Sequence, residues 1–196
     1  MAENKLENTC KAVIIGGSAG SIEVLLKLLP ALNPGLSFAI IIVLHRKNST
    51  DSSLADLLST KSTMLIREVE DKNPVTPGVI YLAPADYHLL IEKEEVFSLD
   101  DSEKVNYSRP SLDVAFESAA DVYGSALVGI ILSGANADGT AGFNTIKKAG
   151  GTLIAQKPET AQSSFMPQQA ILHAPVDFVL DVPEMAAFIN SITTAN

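Results

Sequence analysis

Tryptophan is absent from this 196-residue chain, and aromatic residues make up only 6% of it. There is one cysteine, Cys10, so no internal disulfide can form, which suits a reducing compartment. Basic residues are in deficit: 14 Lys and Arg face 23 Asp and Glu, a net charge of −9. That deficit argues against a nucleic-acid partner and against electrostatic binding to anionic lipid. Long apolar runs are also missing. The longest, residues 38–44, is far short of the roughly 20 residues a membrane-spanning helix needs. The first ten residues, MAENKLENTC, are polar and lack the apolar core of a signal peptide. The expected location is therefore the cytoplasm, without membrane insertion. What is present is a 46% hydrophobic share, too high for a disordered chain. The length suits a polar tail over residues 1–10 and one domain over 11–196.

Short apolar runs rich in β-branched residues alternate with longer amphipathic ones. Ala12-Val13-Ile14-Ile15 predicts a buried strand, followed by Gly16-Gly17-Ser18-Ala19-Gly20. Ile22, Leu25, Leu26 and Leu29 recur on one helical face. Pro30 and the turn Asn33-Pro34-Gly35 end that helix. Residues 38–44 predict a second strand, and 49–58 a helix capped by a Ser, Thr or Asp at its start. Residues 64–69 predict a third, more polar strand. The middle of the chain differs. Strands at 79–82 and 88–91 are expected to form an antiparallel hairpin across Ala83-Pro84-Ala85-Asp86, with 96–99 as a further strand. Residues 100–110 are polar and expected to be loop. Alternation then resumes, with a helix at 111–123 and Ser111 as its N-cap. A strand at 127–132, a glycine-rich stretch, a helix at 143–149 and a strand at 152–155 follow. A short helix at 168–172, a strand at 178–180 and a helix from about residue 183 complete the chain. The pattern predicts an α/β fold: a doubly wound, mostly parallel sheet with helices on both faces and an antiparallel hairpin insertion.

In such a sheet, ligands bind beyond the carboxyl ends of the strands. Ser18 follows the first strand, His45 the second, and Asp138 the strand ending near residue 132. A serine, a histidine and an aspartate thus share one edge, the inventory of an acyl-transfer triad. A serine hydroxyl needs a base to become a nucleophile, and imidazole is suited to that at neutral pH. A carboxylate fixes the imidazole tautomer. Gly-x-Ser-x-Gly at 16–20 makes a sharp strand-to-helix turn that exposes the hydroxyl. Each piece also has a structural reading. The glycines suit any tight turn, Asp138 suits a cap on the helix that follows it, and His88 and His173 read as structural. Competing motifs fail on spacing. A dinucleotide fingerprint would need glycines at 18 and 21, where serines stand. No P-loop, zinc-binding His-Glu-x-x-His or cysteine pair is present. The order Ser, His, Asp also departs from that of α/β-hydrolases.

These residues resemble the catalytic domain of the CheB chemotaxis protein-glutamate methylesterases. The resemblance runs from Val13 to about Leu180. It is carried by Ile15-Gly16-Gly17-Ser18-Ala19-Gly20, His45, Tyr81-Leu82-Ala83-Pro84 and Arg109-Pro110-Ser111-Leu112-Asp113. The segments Leu132-Ser133-Gly134-Ala135-Asn136-Ala137-Asp138-Gly139 and Gly150-Gly151-Thr152-Leu153-Ile154-Ala155-Gln156 add to it. The resemblance implies hydrolysis of glutamate γ-methyl esters on the cytoplasmic helices of chemoreceptors, with glutamine deamidation often accompanying it. It implies Ser18 as nucleophile, His45 as general base and Asp138 as its orienter, with no metal or cofactor. Backbone amides near Ala19 and Ala135 would hold the oxyanion. Arg109 would line the cleft toward an acidic receptor surface, or else anchor its own loop. Further partners would be other chemotaxis or two-component signalling proteins. Four positions depart from the usual family pattern: Ala19, Ser21, Leu44 and Ala135. A binding domain without turnover and an esterase for another substrate stay open at this point. The family's regulatory form carries an N-terminal receiver domain. With about ten residues before the first strand, the expectation here is a stand-alone catalytic domain.

Overall fold

The structure, a computed structural model, describes residues 10–47 and 53–192. The N-terminal tail up to residue 9 lies outside the described residues, as does the start of the helix expected from 49, with its cap. Among the described residues, seven strands form one parallel sheet in the order β3-β4-β2-β1-β7-β8-β9. They are β1 (Ala12–Gly17), β2 (Ala39–Leu44), β3 (Leu65–Glu68), β4 (Val79–Leu82), β7 (Leu127–Ile131), β8 (Thr152–Gln156) and β9 (Phe178–Leu180). Six helices accompany them: α1 (Ser21–Leu28), α2 (Ser53–Ser59), α3 (Leu112–Tyr123), α4 (Thr140–Lys148), α5 (Phe165–His173) and α6 (Val182–Ser191). A separate antiparallel pair consists of β5 (His88–Glu92) and β6 (Val96–Asp100).

Alternation along the central strands divides the core in two, because successive side chains point to opposite faces. Ile14, Ile41, Val43 and Ile131 face α3, α4 and α5, packing with Phe116, Phe143 and Met166. Val13, Ile15, Ile40 and Ile42 face the other way, against Leu25 and Leu28 of α1 and Met185 and Ile189 of α6. Strands buried on both faces need apolar residues at every position, which is why β1 and β2 read as unbroken aliphatic runs. Full burial of each such side chain is worth about 1.5–3 kcal/mol. α3 lies so close to β1 that a Cβ at Gly16 would sit 2.7 Å from the Phe116 ring.

The expected hairpin is real but differently paired. Val79–Leu82 does not pair with residues 88–91; it runs parallel between β2 and β3, with Ile80 opposite both Ile40 and Ile66. All four of its residues are buried. A strand covered on both faces belongs inside a parallel sheet, and its unbroken apolar run carries that signal. The strand at 88 pairs instead with the further strand at 96, placing Leu90 opposite Ser98. This hairpin lies over α3 and packs into the core through Leu89, Ile91 and Phe97, whose ring meets Tyr81 edge-on at 4.8 Å.

The sheet order decides where a site can form. From β1 the chain passes over α1 to β2 on one side, and later from β7 over α4 to β8 on the other. The direction of winding reverses at β1 and β7. There the loops beyond their carboxyl ends part and leave a crevice.

Candidate active site

Ser18 stands at the mouth of that crevice. Its backbone N–H donates to Ser133 O at 2.9 Å, and the His45 N–H donates to Gly17 O at 3.0 Å. The elbow is thus tied to the ends of both flanking strands. Gly20 turns the chain with φ 84°, a left-handed conformation that favours glycine. A Cβ there would also meet Ser133 Oγ at 2.7 Å and Gln162 Cβ at 2.8 Å. Ser21, one of the departures from the family pattern, is buried and donates its hydroxyl to Ser133 O at 2.6 Å. Ser133 in turn donates its hydroxyl to Ala19 O at 2.6 Å. A polar clasp therefore joins the elbow to the loop after β7. Ala19 and Ala135 are both exposed, and their backbone N–H groups have no hydrogen-bond partner among the described residues.

His45, just past β2, presents Nε2 to Asp138 Oδ2 at 2.7 Å. The Asp138 side chain is fully buried, and that of His45 is 11% exposed. Four further donors reach the Asp138 carboxylate. Asn106 Nδ2 lies 2.8 Å and Ser111 Oγ 3.0 Å from Oδ1, with the Asp113 N–H at 3.2 Å. The Leu112 N–H donates to Oδ2 at 2.6 Å. Burial works to raise the Asp138 pKa. The hydrogen bonds from His45, Asn106 and Leu112, and the His45 charge, outweigh burial and hold it down to about 2. An anionic Asp138 that only accepts requires the proton of neutral His45 to be on Nε2. The lone pair then lies on Nδ1, which Asn136 Nδ2 approaches at 3.3 Å. Among the described residues these are the two side-chain hydrogen bonds of His45, so no hydrogen bond joins it to Ser18.

The expected placements largely meet at this edge, with two physical corrections. Asp138 does not cap the helix that follows it; it takes the first N–H groups of α3, the preceding helix. Ser111 occupies the N-cap position of α3, but its hydroxyl serves Asp138 rather than the helix. Arg109 anchors its loop and also borders a cavity. Its Nη1 donates to Asp101 O at 2.6 Å and Ser102 O at 2.7 Å, which anchors the loop. It also lines a cavity of about 390 Å³ with His45, Arg46, Lys47, Lys104 and Tyr107. Asp86 is the carboxylate among that cavity's lining residues, so the rim is basic in an acidic chain. His88 is structural: it is buried between Glu103 O at 2.9 Å and the Ser111 N–H at 3.2 Å. His173 ends α5, away from this edge. Sequence reasoning assigned no role to Asn106, Asp113 or Asn136. Asn136 and Asp113 stood in segments already singled out, but Asn106 lay in a polar loop with no local signal. Among the described residues, no group of three His, Cys, Asp or Glu side chains could hold a metal ion. No helix among them is long and apolar enough to cross a membrane.

Residues 13–189 match the family described as CheB methylesterase. A relative from Leptospira interrogans is 42% identical over 176 residues, covering 90% of this chain and 91% of that one. The protein-glutamate methylesterase/protein-glutamine glutaminase of Thermotoga maritima is 36% identical over 87% of this chain, which spans 50% of its length. The crystal structure of the Thermotoga maritima CheB methylesterase catalytic domain superposes with a TM-score of 0.90 at 34% identity. That match covers 94% of this chain and 100% of the other. The chain belongs to the CheB methylesterase family.

Proposed function

We propose that this chain hydrolyses glutamate γ-methyl esters on the cytoplasmic helices of chemoreceptors, with deamidation of glutamine as a second reaction of the same site. Its place of action is then the cytoplasm, among the proteins of chemotaxis signalling. The observation that carries the reading is the 2.7 Å contact between His45 and a fully buried, anionic Asp138 at the sheet edge that also holds the Ser18 elbow.

The chemistry follows from the hydrogen-bond network. Asp138 keeps the His45 proton on Nε2, which leaves Nδ1 as the base. For reaction, Ser18 Oγ displaces the Asn136 amide from Nδ1 and gives up its proton there. The alkoxide attacks the ester carbonyl, and the carbonyl oxygen becomes an oxyanion held by the Ala19 and Ala135 amides. Each such donor is worth about 2.7–4 kcal/mol in the transition state. The C–O bond to methoxide then breaks as His45 returns its proton, so methanol leaves. Water repeats the sequence on the acyl-enzyme, giving the glutamate carboxylate and restoring Ser18. With glutamine the leaving group is ammonia. Arg109 and the basic rim suit an acidic protein surface better than a small neutral ester.

Methanol release from methylated receptor, measured for wild type and Ser18→Ala, tests this reading. Wild type should release methanol, and the variant should be slower by at least about 10³-fold. Equal rates would remove Ser18 from the chemistry, and release from neither would remove the substrate.

A further inference from the structure

One side chain is bound to both buried carboxylates beside the site. Asn106 Nδ2 lies 2.8 Å from Asp138 Oδ1 and 2.8 Å from Asp113 Oδ2. Those carboxylates cap each other's helices. Asp138, just before α4, accepts the N–H groups that open α3. Asp113, in the first turn of α3, accepts the Gly142 N–H of α4 at 2.7 Å. Two helix N-termini thus favour negative charge at one place, and two carboxylates supply it.

Both charges cannot sit there freely. Like charges in a low-dielectric site disfavour each other's ionised form, and the pair then titrates as a unit. Burial and the neighbouring Asp138 charge raise the Asp113 pKa, against the lowering effect of the Gly142 and Asn106 hydrogen bonds. The other titratable groups around Asp138 are His45 beyond β2 and Glu117 of α3, with His88 of β5 one hydrogen bond further through Ser111. The Arg109 guanidinium is turned to backbone carbonyls, and α4 brings no acidic group in its first turn. Asn106 is placed between the carboxylates by an uncommon backbone. It has φ 52°, and Tyr107 follows at φ 62°, a residue 98% exposed. Two successive non-glycine residues in the left-handed region carry strain, and the exposed tyrosine gains no packing in return. The gain lies with the Asn106 amide.

We propose that Asn106 is a positioning residue for the hydrolytic reaction: its amide, held between two buried carboxylates, keeps the Asp138 carboxylate oriented toward His45 Nε2. The inference rests on the Ser18–His45–Asp138 reading given above. Without the amide, Asp138 and Asp113 each lose a hydrogen bond, and the Asp138 carboxylate is no longer held toward His45 Nε2. A carboxylate that turns away no longer keeps the His45 proton on Nε2, so Nδ1 is less often the base.

The test is kcat and KM for a small activated ester, p-nitrophenyl acetate, from about pH 5 to about pH 9. A small ester removes receptor docking from the comparison. Asn106→Ala should lower kcat about tenfold or more near neutrality with KM nearly unchanged. The loss should hold across this range rather than on its acid side alone, because Asp138, held down to about 2, stays ionised throughout it. Asn106→Asp keeps the side-chain volume but removes the donor, so it should lower kcat at least as much and serves if the alanine variant does not fold. Wild-type kcat in either folded variant, or a loss carried by KM instead of kcat, overturns the proposal. Full loss in Ser18→Ala beside wild-type behaviour in Asn106→Ala overturns the positioning role and leaves the triad standing. Full activity in Ser18→Ala overturns both.

Discussion

The serine and the aspartate of the proposed triad are held in place by different physics. Around Ser18 the constraint is steric. Gly16 lies against Phe116, Gly20 against Ser133 and Gln162, and the backbone is tied to β2 and β7. Around Asp138 the constraint is polar satisfaction: five donors reach one carboxylate whose side chain has no solvent exposure. A steric constraint fixes where a hydroxyl points and leaves its chemistry open. A saturated carboxylate fixes charge as well as position, because any change in protonation leaves a donor facing a donor. The elbow should therefore tolerate loss of a hydrogen bond but not gain of a methyl, while the acid side should tolerate neither loss of charge nor loss of donors.

The largest effect is expected on the acid side. Asp138→Asn should lower kcat/KM by about 10³–10⁴-fold, since the amide cannot hold the His45 proton on Nε2. The same variant should change acid unfolding. The folded-state pKa of Asp138 is about 2, below the ordinary carboxylate value of about 3.9. Its contribution to stability is thus fully present above about pH 4 and lost as pH falls toward 2. That contribution is about 2 kcal/mol, and Asp113, shifted the other way, offsets part of it. Denaturant unfolding of the variant should lack this acid slope; an unchanged slope would place the charge elsewhere. A smaller effect should follow on the elbow side. Gly20→Ala combines a left-handed φ with contacts under 3 Å and should cost about 1–3 kcal/mol in unfolding free energy. The smallest belongs to Ser21→Ala. It removes one donor from Ser133 O, which keeps the Ser18 N–H, so the loss should stay near about 1 kcal/mol with activity largely kept. A collapse of activity in Ser21→Ala would blur the contrast, since the clasp would then be setting the chemistry too.

The same division governs what could be read from residues alone. The elbow was legible because its cause is local: small residues at fixed spacing after an aliphatic run. The central strands were legible for the same reason. β4 was paired wrongly because four consecutive apolar residues next to a turn suit either arrangement, and only the neighbouring β2 and β3 decide. Asp138 could be found by position, but its partners could not. Asn106 lies 32 residues before Asp138 in a polar loop, and Leu112 and Asp113 contribute backbone amides that any residue would supply. Hydrogen-bond satisfaction of a buried charge is a property of the assembled fold. The net charge of −9 averages over the basic rim, of which Arg46, Lys47 and Arg109 are legible by their place next to the site segments and Lys104 is not.

The most direct measurement is covalent labelling by a fluorophosphonate, followed by peptide mapping, on wild type, His45→Ala and Asp138→Asn. Activation of Ser18 by the His45–Asp138 pair predicts a label on Ser18 in wild type, with the rate falling at least about 10³-fold in both variants. Absence of label on wild-type Ser18, or equal labelling in all three proteins, would contradict it.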